Sequence, residues 1–146
     1  MLIEVYSDGS ATTADKPGGW AYAIVVDGVQ WGSSSGFLKK ATNNVAEITA
    51  AIEGLFCVES LQMAGKLPND PESTRIVLIS DSQLVLKYAT GEYQCKAMHL
   101  VPLYTKLRFV YNRLDASTKW VKGHSGDKYN ELCDKLAKAA RQSVTE

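Results

Sequence analysis

Four carboxylates in this chain sit where regular elements begin, end or turn a face toward solvent. Asp8, in YSDGS, closes an apolar, β-rich run, and Asp81, in RIVLISDS, closes another. Glu47 follows Asn43 by one helical turn and is bordered by Ala50, Ala51 and Gly54, small neighbours that leave a carboxylate uncovered. Asp134 follows Asn130 by one turn, at the edge of an apolar face made by Tyr129, Leu132, Cys133, Leu136 and Ala140. Carboxylates gathered at one place repel unless cations sit among them. An all-oxygen donor set suits Mg²⁺ or Mn²⁺ rather than zinc.

Each acid taken alone has a plainer role open to it. Asp8 could cap the turn in SDGS, Asp81 could cap the helix after its strand, and Glu47 or Asp134 could be solvated helix residues, as Glu53 and Glu131 are expected to be. The case for chemistry rests on the set, and the set requires elements that converge.

The hydrophobic pattern supplies such elements. LIEVYSD reads as a strand, and GGWAYAIVVDGVQWGSSSGF as two strands joined by a tight hairpin at Asp27-Gly28. NNVAEITAAIEGLF switches to helical period, with Val45, Ile48, Ile52, Leu55 and Phe56 on one face. MAGKLPNDPES is a surface loop, and RIVLIS a central strand buried on both faces. A short helix closed by Gly91 follows, then a helix with Pro102 in its first turn, a fifth strand in STKWVKG, and a last helix capped by Asp127. The order β-β-β-α-β-α-α-β-α predicts an α/β protein: a five-stranded mixed sheet, three antiparallel strands followed by two parallel ones, with helices packed on it.

Bulk properties narrow the function. The 146 residues predict a single domain with its own core, and no break in composition marks a second. Lys plus Arg equals Asp plus Glu, 16 of each, so no net positive field draws the chain to a polyanion. Cys57, Cys95 and Cys133 lack Cys-x-x-Cys spacing and read as structural thiols of a reducing compartment. No apolar run is long enough for a membrane span and no targeting segment is expected, which predicts a cytoplasmic protein with no membrane partner.

YSDGS, TNNVAE, ISDSQ and GHSGDKYNELCDKLAKAA, in this order on this pattern of elements, resemble the type 1 ribonuclease H family from about Leu2 to Ala140. The resemblance implies an RNase H-like fold over residues 1–146 and an endonuclease that cuts the RNA strand of RNA/DNA hybrids, leaving 5′-phosphate and 3′-hydroxyl ends. It places a four-carboxylate site on Asp8, Glu47, Asp81 and Asp134. These would hold two Mg²⁺ ions, with Mn²⁺ as a substitute: Asp8 between them, Asp134 on one and Glu47 with Asp81 on the other. It also gives His124 a role, that of a proton-handling residue on a mobile loop between Gly123 and Gly126.

The same resemblance assigns substrate contacts. Asn43, Asn44 and Gln83 match minor-groove contacts, and amides suit a 2′-hydroxyl that both donates and accepts. Asn43 could equally cap its helix. Gly9 and Ser10, beside Asp8, belong to the same substrate set, and Thr42 with Lys40 resembles the part that holds a phosphate of the DNA strand. Trp20, Trp31 and Trp120 are expected in the core. Two departures stand out. The segment ATGEYQCKAMHL is short and has only Lys96 where bacterial members often carry a long basic protrusion, and the loop QMAGKLPNDPES is longer than expected. The expected state is a monomer acting on hybrid. The competing readings are a nuclease of this fold acting on DNA, and an inactive hybrid-binding module that would have lost a carboxylate.

Overall fold

The computed structural model describes residues 1–144. Its first three strands, β1 (Leu2–Ser10), β2 (Gly18–Val26) and β3 (Val29–Leu38), form an antiparallel meander. The β2–β3 hairpin turns on two residues, Asp27 at φ 48° and Gly28 at φ 83°. That pair of positive φ values matches the right-handed twist of the strands, as Asp-Gly predicts. β4 (Arg75–Ser80) joins β1 in parallel and β5 (Ser117–Trp120) joins β4 in parallel, giving the sheet order β3-β2-β1-β4-β5. The expected mixed sheet of three antiparallel and two parallel strands is the one found.

Alternation along the central strands divides the core in two. Ile3 and Val5 of β1, Ile24 of β2 and Leu78 of β4 lie under α1 (Asn43–Met63), α2 (Gln83–Thr90) and α3 (Val101–Arg113). Tyr6, Ala21, Ala23, Val25 and Ile79 face the other way, onto Cys133 and Ala137 of α4 (Lys128–Gln142). Fully buried side chains such as Ile48, Leu55 and Leu107 hold the layers together, at about 1.5–3 kcal/mol each. α2 ends at Gly91 in the left-handed conformation, α3 carries its proline in the first turn, and Asp127 caps α4 by accepting from the backbone N–H of Tyr129 and Asn130.

Close backbone approach sets how α1 lies on the sheet. A Cβ on Gly9 would lie 2.4 Å from the backbone nitrogen of Glu47, so only glycine at this position lets the helix lie on β1. That contact brings Glu47 over the strand that carries Asp8.

Three expectations need correction. β1 runs two residues past Asp8, because β2 continues to pair with it: Asp8 opposes Ala21. Its pairing with β4 stops earlier, at Tyr6–Ile79, so Asp8 lies beyond the end of the parallel ladder but inside the antiparallel one. Second, Trp31 and Trp120 are 49% and 48% exposed instead of core, and Trp20 is half-buried. β3 and β5 are the two edge strands, and Trp31 falls at the irregularity where the β2–β3 register shifts. Third, the loop after α1 is not wholly on the surface. Leu67 packs into the main core, and the Lys66 and Leu67 N–H groups donate to the Leu61 carbonyl at 2.8 and 3.2 Å.

Candidate active site

Each acid reaches the site from a different element. Asp8 is 5% exposed, and its Oδ1 accepts the Gly9 N–H at 2.9 Å. Asp81 directly follows the last residue of β4, in the crevice at the carboxyl ends of the parallel strands. Glu47 lies in the second turn of α1, where the Asn43 side-chain amide donates to its Oε1 at 3.3 Å. Ligand oxygens of Asp8, Glu47 and Asp81 all lie within 4.8 Å of one another. Asp134 stands outside this triad, on α4, with its Oδ2 3.1 Å from Lys138 Nζ. It is still near enough for its charge to raise the pKa of both Asp8 and Asp81.

The plainer roles go to other residues. Ser82, not Asp81, caps α2 by accepting from Val85 N–H at 3.2 Å. Thr42, not Asn43, caps α1 by accepting from Val45 N–H, also at 3.2 Å. Asp81 and Asn43 are thereby left without the local duties that would have explained them.

Burial and mutual repulsion dominate the electrostatics. Burial, then the Asp81 charge, lifts the Asp8 carboxyl from 3.8 to about 8, against the pull of the Gly9 N–H. Burial raises Glu47 to about 7, opposed by hydrogen bonding to Ser82 and Asn43. Asp81 is raised too, by burial first, while hydrogen bonding to Asn130 and the nearby His124 pull it down. Such a cluster cannot hold its full negative charge without a cation. The donors are all carboxylate oxygens, and a hard divalent cation fits them.

His124 is exposed and sits at φ 57°, a left-handed conformation uncommon for a side chain larger than glycine. Its loop lies against the site: a Cβ on Gly123 would be 3.1 Å from Asp81 Oδ2. Of the substrate residues expected from sequence, Lys40, Asn43, Asn44 and Gln83 are exposed around the triad's two helix starts, and Thr42 is half-buried at its cap. Gly9 and Ser10 are buried, and the tight packing of Gly9 against α1 is what the structure requires of it.

Sequence reasoning gave no site role to three residues that support the acids. Asn130, 3% exposed, supports Asp81. Its spacing of four from Asp134 put both on one helix face, which was the available signal. Ser82 links Glu47 to the α2 cap and adjoins Asp81 in sequence. Trp120 donates its indole N–H to the Asp81 carbonyl at 3.1 Å, a contact no local pattern could have announced.

The RNase H family model matches residues 2–142. The chain belongs to the type 1 ribonuclease H family. Ribonuclease H from Photorhabdus luminescens is 34% identical over 155 aligned residues, covering 99% of this chain and 91% of that protein. Ribonuclease H from Treponema pallidum is 32% identical, covering 97% and 92%. Among solved structures, ribonuclease H1 of the archaeon Halobacterium salinarum superposes with a TM-score of 0.80 at 25% identity, over 99% of this chain and all of that one. LC11-RNase H1, solved in complex with an RNA/DNA hybrid, gives 0.79 at 26% identity, over 97% of each chain. The protein is thus an enzyme of the ribonuclease H class, built on the fold of the RNase H1 structures.

Proposed function

We propose that this enzyme is a Mg²⁺-dependent endonuclease that hydrolyses the RNA strand of RNA/DNA hybrids, leaving 5′-phosphate and 3′-hydroxyl ends. The observation that carries the reading is the triad of buried Asp8 with half-buried Glu47 and Asp81, their ligand oxygens within 4.8 Å of one another just beyond the end of the β1–β4 parallel ladder. The hybrid bound in the LC11 structure, on a fold that superposes over almost the whole chain, supports the substrate class.

Asp8, Glu47, Asp81 and Asp134 would hold two Mg²⁺ ions, or Mn²⁺ in their place. When bound, these supply the Lewis acidity that activates water on one side of a phosphodiester and stabilises the leaving 3′-oxygen on the other. The remaining steps belong to the chain. Asn130 and Ser82 orient Asp81 and Glu47 through the hydrogen bonds that lower their pKa values. His124, exposed beside Asp81, accepts and returns protons. Asn43, Asn44 and Gln83 present amides at the starts of α1 and α2, where a 2′-hydroxyl distinguishes ribose from deoxyribose. Thr42 and Lys40 take a phosphate of the DNA strand.

The chain acts as one catalytic domain and as a monomer in the cytoplasm. Its three cysteines are free, as in a reducing compartment, and among the described residues no helix is long and apolar enough to cross a membrane. The deciding experiment is cleavage of matched RNA/DNA, RNA/RNA and DNA/DNA duplexes with and without Mg²⁺, with the product ends identified. Cleavage confined to the RNA strand of the hybrid and dependent on the metal is expected. Equal cutting of DNA/DNA would return the enzyme to the DNA-acting reading.

A further inference from the structure

The missing basic protrusion leaves open what grips the hybrid on the β5 side of the site. A cleft of about 160 Å³ lies there, lined by Gln83, Leu86, Lys87, Glu92, Thr118 and Trp120. It is continuous with the candidate site at two points. Gln83 begins α2 two residues after Asp81, and the Trp120 indole N–H is bound to the Asp81 carbonyl. That bond fixes the orientation of a ring left 48% exposed.

The other wall holds a fixed cation. Lys87 lies one turn along α2 from Gln83, and its ammonium rests 4.9 Å from the centre of the Tyr93 ring and 3.4 Å from the Tyr93 hydroxyl. The Tyr93 N–H in turn donates to the Lys87 carbonyl at 3.1 Å. Trp120 and Lys87 are both preorganised, and neither is used by the packing of the core.

The outer surface of a duplex offers sugars and phosphates, because its bases are stacked on one another. We propose that this cleft seats one sugar–phosphate unit of the hybrid next to the cleaved linkage, with the Trp120 ring against the sugar and the Lys87 ammonium against the phosphate. Glu92, also in the lining, repels phosphate and limits the cleft to the one that Lys87 can pair. The inference rests on the hybrid-cleaving reading and extends its substrate site beyond Gln83.

The test is steady-state kinetics on a short hybrid, with folding of each variant checked by thermal melting. Trp120→Phe and Trp120→Leu both lose the N–H to Asp81, so they should change kcat alike. Only Trp120→Leu also loses the flat ring, and its KM should exceed that of Trp120→Phe by about threefold, less than a ring–base stack would give because a sugar has no π-face. Lys87→Gln should flatten the log–log salt slope of binding by about 0.9, the share of one phosphate. Glu92→Gln should lower KM. Removing the flanking nucleotides from the RNA strand alone, or the DNA strand alone, should abolish the Trp120→Leu penalty for the strand that occupies the cleft. Equal KM for Trp120→Phe and Trp120→Leu overturns the proposal, as does persistence of the penalty on both trimmed substrates. Should Trp120→Leu fail to fold, an unchanged salt slope in Lys87→Gln overturns it independently. A parent enzyme that cuts hybrids while these effects are absent sinks this inference alone. A parent that cuts no hybrid sinks the functional reading as well.

Discussion

Asp8 is the residue on which the site's charge balance turns. Its carboxyl is buried, pushed up to about 8, and faced by the charges of Asp81, Glu47 and Asp134. Asp8→Asn or Asp81→Asn keeps the shape and removes a negative charge that holds cations. Either variant should cut hybrid at less than a few per cent of the parent rate, with an unchanged circular dichroism spectrum. Without divalent cations the same substitution should stabilise. Between pH 3.8 and about 8 the native protein holds a proton on Asp8 that the unfolded chain has released. This group's contribution to stability is therefore full below 3.8 and gone once the pH has risen through about 8. Glu47 acts in the same direction between 4.5 and about 7. The metal-free parent should accordingly lose stability between about pH 4 and about pH 8, and Asp8→Asn should be the more stable of the two at the upper end by about 2–5 kcal/mol. Urea unfolding in a chelator at both pH values checks this, and a parent that is equally stable at both would show that Asp8 is not strained. His124 is an exposed helper beside Asp81, so His124→Ala should cost about 10²-fold or less in kcat, the low end of acid–base assistance. A loss as complete as that from Asp8→Asn would make it a primary catalytic group.

Among elements, the contact of α1 with β1 does most to assemble the site. Glu47 reaches Asp8 only because Gly9 lets the helix backbone lie on the strand, and a methyl group there would meet three backbone atoms of Ala46 and Glu47 at 2.4–2.8 Å. Backbone cannot swing aside as a flexible side chain can. Gly9→Ala should therefore cost more than ordinary overpacking, at least about 3 kcal/mol. It should also weaken Mn²⁺ binding followed by calorimetry, because α1 must shift and carry Glu47 with it. Unchanged stability together with unchanged metal affinity would refute this account of the helix placement. α4 makes the complementary contribution from the opposite face of the sheet, holding Asp134 and Asn130 on consecutive turns and anchored by Cys133 and Ala137.

At the scale of the whole molecule, formal net charge is zero and the segment after α2 carries no basic protrusion. Few phosphates can then be neutralised. Two to four contacts, from among Lys40, Lys87, Lys122 and Lys128, should give a log–log salt slope of about −2 to −4 for binding of the Asp8→Asn variant to a short hybrid. Binding should be weak, and tethering to a hybrid-binding module should raise activity at low substrate more than at saturation. A slope as steep as that of a strongly basic DNA-binding protein would require another grip, for which the long loop carrying Lys66 is the candidate.

Much of this was written locally in the chain. Hydrophobic period, the Asp27-Gly28 turn, the Gly91 and Asp127 caps and Pro102 specify elements through interactions within a few residues, and the elements found follow them. The order of those elements then left few sheets to choose from, which is why the mixed five-stranded topology could be read in advance. The four acids were visible as residues on margins. What the sequence could not contain was distance. That Asp8, Glu47 and Asp81 come within 4.8 Å while Asp134 stands apart depends on how closely α1 and α4 approach the sheet. That approach is set by glycines and small side chains on neighbouring strands. The same limit explains the tryptophans: a strand pattern says that Trp31 and Trp120 lie in strands, but only the assembled sheet says that those strands are its edges. Whether a side chain is core or surface is decided by what packs over it, and on edge strand β5 Trp120 is left 48% exposed, its ring open beside the site.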